Sequence, residues 1–556
     1  MTMMKGKEAL VEVLRREGVE YVFGIPGATE IHFMDALEKA QDIQYILGLH
    51  EIVCAGMAEG YARASGKPGF LNLHTATGVA AALPMLYNAR SGGVPLVITS
   101  GQQDTRLLQY EPHLSGNILG MAKLYTKWSA EIVHANDIPV ALQRAFKAAM
   151  QPPTGPVLVS IPQNVLGESF DFKRKPRTTV YPRLRPDEEA LRSALNILQE
   201  AKKPAILVGS GVARCDALDE VVQFGELIGA RVYQGWMSDV NFPVSHPQYL
   251  GDLDPASPKA GDILRDVDVL VGIGCPMFAQ AFYDPEPTLP ERIKIIQVDE
   301  DPWQIGKNFF VDCGIQGDLK VTVAELNQAI RRDMPSNGRK EAASRVKEIA
   351  AEKSELCRQL ERQAEEEKDR VPISISRLMR EIQRAMTPDT VIVDECWSSS
   401  AMLRQTLDLS KPKSFYRARE GGSIGWGLPG ALGVKMGLPD KQVIAVSGDG
   451  SAAWSMQSFW TAARYRIPVT YVITNNATYR QVKLVRKQVL GGDDPLNERH
   501  EGMDLDDPVV DFCLLAQSMG VHGERVKGPE ALGAALREAV HSGQPRLVEV
   551  FVENSP

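Results

Sequence analysis

The segment Val443–Asn476 constrains the fold most, because it has the pattern of a strand, a helix and a second strand. Its apolar run VIAVS leads into Gly448-Asp449-Gly450-Ser451, and a second apolar run, VTYVIT, is followed by Asn475-Asn476. This pattern indicates a βαβ unit, whose parallel strands end at one edge of a sheet. Glycines there let the backbone approach a phosphate, and Asp449 with Asn476 suits Mg²⁺ or Ca²⁺. We therefore predict a metal-anchored diphosphate ligand.

The same alternation of strand and helix patterns extends over the whole chain of 556 residues. A Pro- and Arg-rich connector at 173–186 and a charged helical stretch at 337–370 interrupt it. We therefore predict three consecutive α/β domains, each a doubly wound parallel sheet, at residues 1–172, 187–335 and 371–556.

Composition excludes several classes of function. The net charge of −8 indicates no nucleic-acid surface, and no apolar run reaches the length of a membrane span. The seven cysteines are scattered without a CxxC pair, so they are expected to be free thiols. We expect a cytoplasmic enzyme with a small-molecule substrate.

Two motifs together resemble a known superfamily. Gly448-Asp449-Gly450 with Asn475-Asn476 is similar to the thiamine-diphosphate motif of the 2-oxo acid decarboxylases and acetolactate synthases, and His50-Glu51 before the helical 55–62 resembles their second conserved segment. The resemblance implies a pyrimidine-binding, a middle and a diphosphate-binding domain. Because Glu51 and Asp449 fall in different domains, it also implies a homodimer or homotetramer with the active site at the subunit interface.

The resemblance also implies residue roles. Glu51 would relay a proton to the cofactor pyrimidine, and His74, 23 residues later, matches a proton-transferring histidine of the benzoylformate decarboxylase branch. Gly422, or Gly421 instead, would accept a hydrogen bond from the aminopyrimidine, and Ile424 would support the folded cofactor. The expected metal ligands are Asp449, Asn476 and the carbonyl of Thr478. The expected diphosphate contacts are Gly448, Gly450, Ser451 and Ser398. For the two serines the alternative is that they lie in solvated turns without a ligand.

Other positions depart from that branch and bear on the substrate. Ala28 replaces a carboxylate-binding serine, and Ala281 replaces a second catalytic histidine. Glu111 or His113, in the loop after a strand end, could supply the missing acid or base, with an ordinary surface loop as the alternative. The basic stretch 480–487 is either a solvated helix face or a site for a second anionic group of the substrate.

We therefore expect non-oxidative decarboxylation of a 2-oxo acid with carbon–carbon carboligase capacity. The alternative is a carboligase or lyase that acts on acyl substrates, of the acetolactate synthase or 2-hydroxyacyl-CoA lyase type. A non-catalytic homologue would have a broken cofactor site, whereas Glu51, Asp449 and Asn476 are all present. The middle-domain loop 209–213 lacks the full G-x-G-x-x-G pattern, so FAD is not expected.

Overall fold

The computed structural model describes residues 2–174, 176–235, 237–253, 259–277, 289–418, 421–491 and 498–554. The chain forms two compact units. The first comprises Met1–Tyr181, Thr387–Ser398 and Ala418–Pro556, and the second comprises Pro182–Met386 and Ser399–Arg417. None of the helices in the described ranges combines the length and apolar character of a membrane span.

The N-terminal part of the first unit is a parallel sheet flanked by helices. Its strands lie in the order β3-β2-β4-β5-β7-β6, while β1 and β8 pair antiparallel beside it. Strands β4, β5 and β7 are buried along their whole length, as expected for a parallel sheet covered on both faces. The elements are β1 (Thr2–Lys5), α1 (Gly6–Glu17), β2 (Tyr21–Gly24), α2 (Ile31–Glu38), β3 (Gln44–Leu47), α3 (Glu51–Ser65), β4 (Gly69–Leu73), α4 (Thr75–Ser91), β5 (Leu96–Gln102), α5 (Ile118–Ala122), β6 (Trp128–Glu131), α6 (Ile138–Met150), β7 (Val157–Pro162), α7 (Gln163–Gly167) and β8 (Ser169–Phe172).

The second unit contains another parallel sheet, with its strands in the order β11-β10-β9-β12-β13-β14. The charged stretch at 337–370 is mostly one long helix, α13, in which only three residues are buried. The elements are α8 (Glu188–Glu200), β9 (Pro204–Val208), α9 (Gly211–Arg214), α10 (Leu218–Ile228), β10 (Arg231–Gly235), β11 (Tyr249–Leu253), α11 (Lys259–Leu264), β12 (Val269–Ile273), β13 (Lys294–Asp299), β14 (Cys313–Gln316), α12 (Leu319–Asp333), α13 (Ser336–Glu366) and α14 (Ile375–Ala385).

The C-terminal part of the chain contains the third parallel sheet, in which β15, β17, β18, β20 and β19 are neighbours in that order. The predicted βαβ unit is present, but its helical segment is divided into α17 and α18. The elements are β15 (Thr390–Glu395), α15 (Ser400–Thr406), β16 (Phe415–Arg417), α16 (Gly427–Gly437), β17 (Gln442–Gly448), α17 (Asp449–Ala452), α18 (Ser458–Tyr465), β18 (Val469–Asn475), α19 (Arg480–Leu490), α20 (Phe512–Ser518), β19 (His522–Val526), α21 (Pro529–His541) and β20 (Arg546–Phe551). The expected fold class of three parallel-sheet α/β domains is confirmed.

Helices α3 and α16 connect the first and third sheets through a close backbone contact. A Cβ added at Gly433 would lie 2.0 Å from the carbonyl oxygen of Met57, and one added at Gly60 would lie 2.2 Å from that of Gly430. Only glycine lets two helix backbones approach so closely. This contact holds the start of α3, where Glu51 lies, in the same unit as the third sheet.

Candidate active site

Asp449 lies at the carboxyl edge of the third sheet, where parallel sheets bind ligands. Its Oδ1 accepts a hydrogen bond from the Gly450 N–H at 2.8 Å. Its Oδ2 is buried and has no hydrogen-bond partner among the described residues. Burial raises the pKa of Asp449 to about 6, although the N–H groups of residues 450 and 476–478 oppose that rise. A buried carboxylate oxygen without a partner fits the donor set of a divalent cation.

The segment Asn476–Thr478 lies directly beside Asp449. Ala477 has a positive φ of 53°, and its N–H donates to Oδ1 of Asn475 at 3.0 Å. The Thr478 hydroxyl donates to the Met503 carbonyl at 2.7 Å, so the side chain of Thr478 is engaged elsewhere. The Thr478 carbonyl accepts from the N–H of Arg480 at 2.9 Å and keeps a second lone pair. The expected ligation through this carbonyl is therefore compatible with the geometry.

Gly450 and the two predicted diphosphate-binding serines, Ser451 and Ser398, follow the ends of the neighbouring strands β17 and β15. A Cβ added at Gly450 would lie 2.5 Å from the ring of Tyr479, so glycine is required by packing. Ser451 is buried in α17. Ser398 lies half-buried in a 3-10 turn that begins at Trp397, whose φ is 34°. Positive φ values of non-glycine residues cluster at functional sites, and Trp397 and Ala477 both have them.

The loop 421–426 precedes α16 and carries the two predicted cofactor contacts Gly422 and Ile424. Gly422 has a φ of 73°, whereas a Cβ added at Gly421 would lie 2.4 Å from Oδ1 of Asn88. Position 422 therefore favours glycine because of its positive φ, and position 421 because Asn88 leaves no room for a side chain. Which of the two carbonyls accepts the hydrogen bond from the aminopyrimidine stays a prediction. Gly425 packs on the segment that follows Asp449 and α17, because a Cβ added at Gly425 would lie 2.8 Å from Cβ of Trp454.

Glu51 and His74 come together at the carboxyl edge of the first sheet. Glu51 is the first residue of α3 and is half-buried, and His50 caps that helix by accepting from the Ile52 N–H at 3.1 Å. Gly78 lies between the two side chains: an added Cβ would be 3.3 Å from Glu51 Oε1 and 3.6 Å from His74 Cβ. Both predicted proton-transfer residues therefore lie next to Gly78, near the start of α4.

Glu30 is a site residue that the sequence interpretation missed. Its Oε2 accepts from His74 Nδ1 at 2.8 Å and from the Gly27 N–H at 3.0 Å, and its Oε1 accepts from the Thr29 hydroxyl at 2.8 Å. Glu30 is only 2% exposed. The carboxylate holds the Nδ1–H tautomer of His74, which leaves Nε2 as the free acceptor. The one feature of the sequence that could have indicated Glu30 is its position, three residues after Gly27 of the Pro-Gly turn.

The backbone around His74 is strained. Thr75, the first residue of α4, has a φ of 46°, which a branched side chain rarely adopts. A Cβ added at Gly27 would lie 2.0 Å from His74 Nδ1, so the Pro-Gly turn leaves room for the imidazole ring. Ala28, next in the chain, begins the 3-10 turn Ala28–Glu30. The methyl group of Ala28 provides no hydroxyl for a substrate, as the sequence indicates.

The loop after β5 forms a cavity of about 330 Å³ near α4. Glu111 lines this cavity together with Gln102 and Glu131, whereas His113 is exposed and its carbonyl accepts from Gln103 at 2.7 Å. A Cβ added at Gly116, which also lines the cavity, would lie 2.7 Å from Cβ of Ala76 in the first turn of α4. The roles expected for Glu111 and His113 stay predictions, and Ala281 lies outside the described residues.

The basic stretch 480–487 is only partly a solvated helix face, and its role in binding a second anionic group stays a prediction. It forms the first part of α19, and its Arg480 and Lys483 are buried rather than solvated. Lys483 donates to Asp504 at 2.5 Å and to the Glu498 carbonyl at 2.9 Å. The Lys483 ammonium is therefore already paired and anchors the helix. Sequence periodicity did not reveal this, because its partner comes from a later loop.

One cluster of metal-ligand types lies elsewhere, at Asp511, Cys513 and Glu549. The guanidinium of Arg525 pairs with Asp511 at 2.6 Å and with Glu549 at 2.8 Å. A cationic side chain already occupies the place that a metal would take, so this cluster is not a metal-site candidate.

Comparison with known proteins identifies the family. Three family models match the chain: the N-terminal TPP binding domain of thiamine pyrophosphate enzymes at residues 4–123, their central domain at 191–326, and their C-terminal TPP binding domain at 398–550. Thiamine pyrophosphate is another name for thiamine diphosphate. Both groups of site residues thus lie in matched TPP binding domains.

Individual relatives match over nearly the full length. Benzoylformate decarboxylase of Pseudomonas aeruginosa is 30% identical over 98% of both chains, and a probable acetolactate synthase large subunit of Methanococcus aeolicus is 28% identical over 99% of this chain and 92% of that one. A thiamine diphosphate-dependent 4-hydroxybenzoylformate decarboxylase of Rhodococcus jostii RHA1 superimposes with a TM-score of 0.85 at 27% identity, over 99% of this chain and 100% of that one. The chain therefore belongs to the thiamine diphosphate-dependent enzyme family that contains both decarboxylases and acetolactate synthases.

Proposed function

We propose that the protein is a thiamine-diphosphate- and Mg²⁺-dependent lyase that decarboxylates a 2-oxo acid without oxidation and can join the product to an aldehyde. The observation that carries this proposal is the His74–Glu30 pair, because it provides an oriented imidazole at the sheet edge where Glu51, the predicted proton relay, also borders Gly78. A decarboxylase must return a proton to carbon after carbon dioxide leaves, and a positioned imidazole suits that task.

The residues of the third sheet would hold the cofactor. Asp449, Asn476 and the Thr478 carbonyl would bind the metal, supported by the unpartnered Oδ2 of Asp449. When bound, thiamine diphosphate supplies a nucleophilic carbon and an electron sink for the reaction. Gly448, Gly450, Ser451 and Ser398 would bind the diphosphate, the two serines through their hydroxyl groups.

The residues of the first sheet would manage protons. Glu51 would exchange a proton with the cofactor pyrimidine. His74 Nε2 would accept a proton from the substrate or return one, while Glu30 holds Nδ1–H. Ala28 has no hydroxyl group that could donate a hydrogen bond to the substrate carboxylate. Other groups around the pocket would therefore bind that carboxylate.

A second candidate function is an acetolactate-synthase-like carboligase or a lyase that acts on acyl-CoA. Ala28 favours it, as do the acetolactate synthases among the relatives. The two candidates differ in substrate, so one screen separates them. Aryl, aliphatic and dicarboxylic 2-oxo acids and 2-hydroxyacyl-CoA thioesters are incubated with thiamine diphosphate and Mg²⁺, and carbon dioxide and aldehyde are measured. Carbon dioxide and aldehyde in equal amounts from a 2-oxo acid support the decarboxylase. Carbon dioxide without aldehyde, accompanied by a 2-hydroxy-3-oxo acid, or aldehyde from a thioester without carbon dioxide, supports the alternative.

The active site is proposed to be shared between two subunits of a homodimer or homotetramer. Co-expression of Glu51→Gln and Asp449→Ala chains with different tags tests this directly. If the site is shared, mixed dimers regain one intact site, although each variant alone is inactive. If each chain holds its own site, the mixed dimers stay inactive.

A further inference from the structure

The loop 421–426 cannot hold its shape through secondary structure. It precedes α16 without forming a helix or a strand, and Gly422 and Gly425 have φ values of 73° and 92°. Two such glycines make the loop flexible unless other parts of the chain hold it. Ile424, the predicted support of the folded cofactor, lies between them.

Asn88 holds the loop on the N-terminal side of Ile424. Its Nδ2 donates to the Ser423 carbonyl at 2.9 Å, and its Oδ1 accepts from the Ser423 N–H at 3.0 Å. The Asn88 side chain therefore forms hydrogen bonds with both the backbone N–H and the backbone carbonyl of Ser423. Asn88 is fully buried, and Gly421 packs directly on its backbone, since an added Cβ would lie 2.8 Å from the Asn88 nitrogen.

Glu395 holds the loop on the C-terminal side of Ile424. Its Oε1 accepts from the Trp426 N–H at 3.0 Å and its Oε2 from the Gly427 N–H at 2.7 Å. Glu395 is 2% exposed and lies at the end of β15, opposite Ser447 on β17. It thus joins the loop to β15, whose neighbour β17 leads into Asp449.

We propose that Asn88 and Glu395 are positioning residues that preorganise the loop, so that Gly422 and Ile424 meet the cofactor without rearrangement. The proposal rests on the proposed function. Four hydrogen bonds, two on each side of Ile424, hold backbone groups of Ser423, Trp426 and Gly427 before any cofactor arrives. A site that is ordered in advance avoids the entropy cost of ordering on binding.

The first test is cofactor affinity of the full-length enzyme, measured by titrating thiamine diphosphate with Mg²⁺ and following tryptophan fluorescence. Trp426 lies in the loop and Trp454 packs on Gly425, so both report on it. We expect Asn88→Ala to bind about 10- to 100-fold more weakly, because two hydrogen bonds are lost. Asn88→Asp keeps the acceptor for the Ser423 N–H, so its cofactor affinity should lie between those of the wild type and Asn88→Ala. Glu395→Gln should weaken binding less than Glu395→Ala.

Matched controls separate positioning from general destabilisation. Asn327→Ala removes another buried asparagine, one that donates to the Glu220 carbonyl at 2.9 Å in the second unit. Glu381→Gln changes another buried carboxylate of the second unit, which pairs with Arg377. Both controls should keep wild-type cofactor affinity.

The second test needs no cofactor. Hydrogen–deuterium exchange of the apo enzyme should be faster within 421–427 in Asn88→Ala than in the wild type, and unchanged in Asn327→Ala. Wild-type affinity for thiamine diphosphate in Asn88→Ala, or wild-type exchange within 421–427, overturns the proposal. If the wild type itself does not bind thiamine diphosphate with Mg²⁺, the proposed function fails with it, whereas binding by the wild type and Asn88→Ala alike refutes the positioning role alone.

Discussion

His74 Nδ1 lies 2.8 Å from Oε2 of Glu30, a carboxylate that is almost completely buried and also accepts from the Gly27 N–H. This pairing sets the tautomer and the direction of the imidazole. It makes Glu30 a positioning residue for the imidazole of His74.

Replacing Glu30 by Gln should therefore lower kcat by about 10- to 100-fold, within the usual contribution of a positioned acid–base group. The amide keeps the size of the side chain but no longer favours Nδ1–H. Steady-state kinetics on the best 2-oxo acid measures the effect, with Glu381→Gln as a buried-carboxylate control. Unchanged kcat in Glu30→Gln would contradict the positioning role.

Glu51→Gln should bind thiamine diphosphate but turn over at least about 100-fold more slowly, because an amide cannot exchange the proton that the pyrimidine requires. Its position at the start of α3 is set by the His50 cap rather than by its own charge, so the fold should persist. Fluorescence titration and turnover are measured on one preparation. Full activity with added cofactor would show that Glu51 is not the relay.

Removal of the metal should abolish activity, and Mg²⁺ or Ca²⁺ should restore it. The buried Asp449 Oδ2 has no partner among the described residues, so a cation is the group that best satisfies it. Asp449→Asn should weaken Mg²⁺ binding strongly in isothermal titration calorimetry. Asp511→Asn serves as the control, because Asp511 already pairs with Arg525. This variant should leave Mg²⁺ binding unchanged.

Gly450→Ala should destabilise the protein by about 1–3 kcal/mol, because its Cβ would overlap the Tyr479 ring. Thermal unfolding measures the change. Gly261→Ala is the matched control, since nothing lies within 4 Å of its added Cβ and it lies within α11. That control should be neutral or slightly stabilising. Partial rescue of Gly450→Ala by Tyr479→Leu would identify the ring as the cause.

Stability should depend on pH through Glu395. Burial raises the pKa of Glu395 from 4.5 to about 8, against the opposing N–H groups of Gly427 and Trp426. The folded state then binds a proton that the unfolded state releases, so the free energy of unfolding falls as pH rises from about 4.5 to about 8. The slope is at most about 1.4 kcal/mol per pH unit.

Glu395→Gln cannot titrate and should lose that slope. Melting temperatures of both proteins at pH 5, 6.5 and 8 provide the comparison. The wild type should lose stability relative to Glu395→Gln over this range, and parallel curves would contradict the assignment.

Much of the fold and part of the site follow from local pattern. Apolar runs alternating with helical periodicity predict the parallel sheets, because strand and helix preferences act over a few residues. The spacing from Asp449 to Asn476 spans one βαβ unit, so it predicts that the two lie at one edge. The sites assigned by resemblance, Glu51 and His74 among them, do lie at strand ends, although their roles stay predictions.

Only the tertiary structure decided the supporting contacts. Glu30 and His74 are 44 positions apart, Asn88 and Ser423 are 335 apart, and no local periodicity links them. The burial of Lys483 against Asp504 depends likewise on a distant loop. The sequence by itself determined which chemical groups lie at the sheet edges, since strand ends are a local property. Which side chains orient those groups was decided by packing, because a buried hydrogen bond forms wherever the fold brings donor and acceptor together.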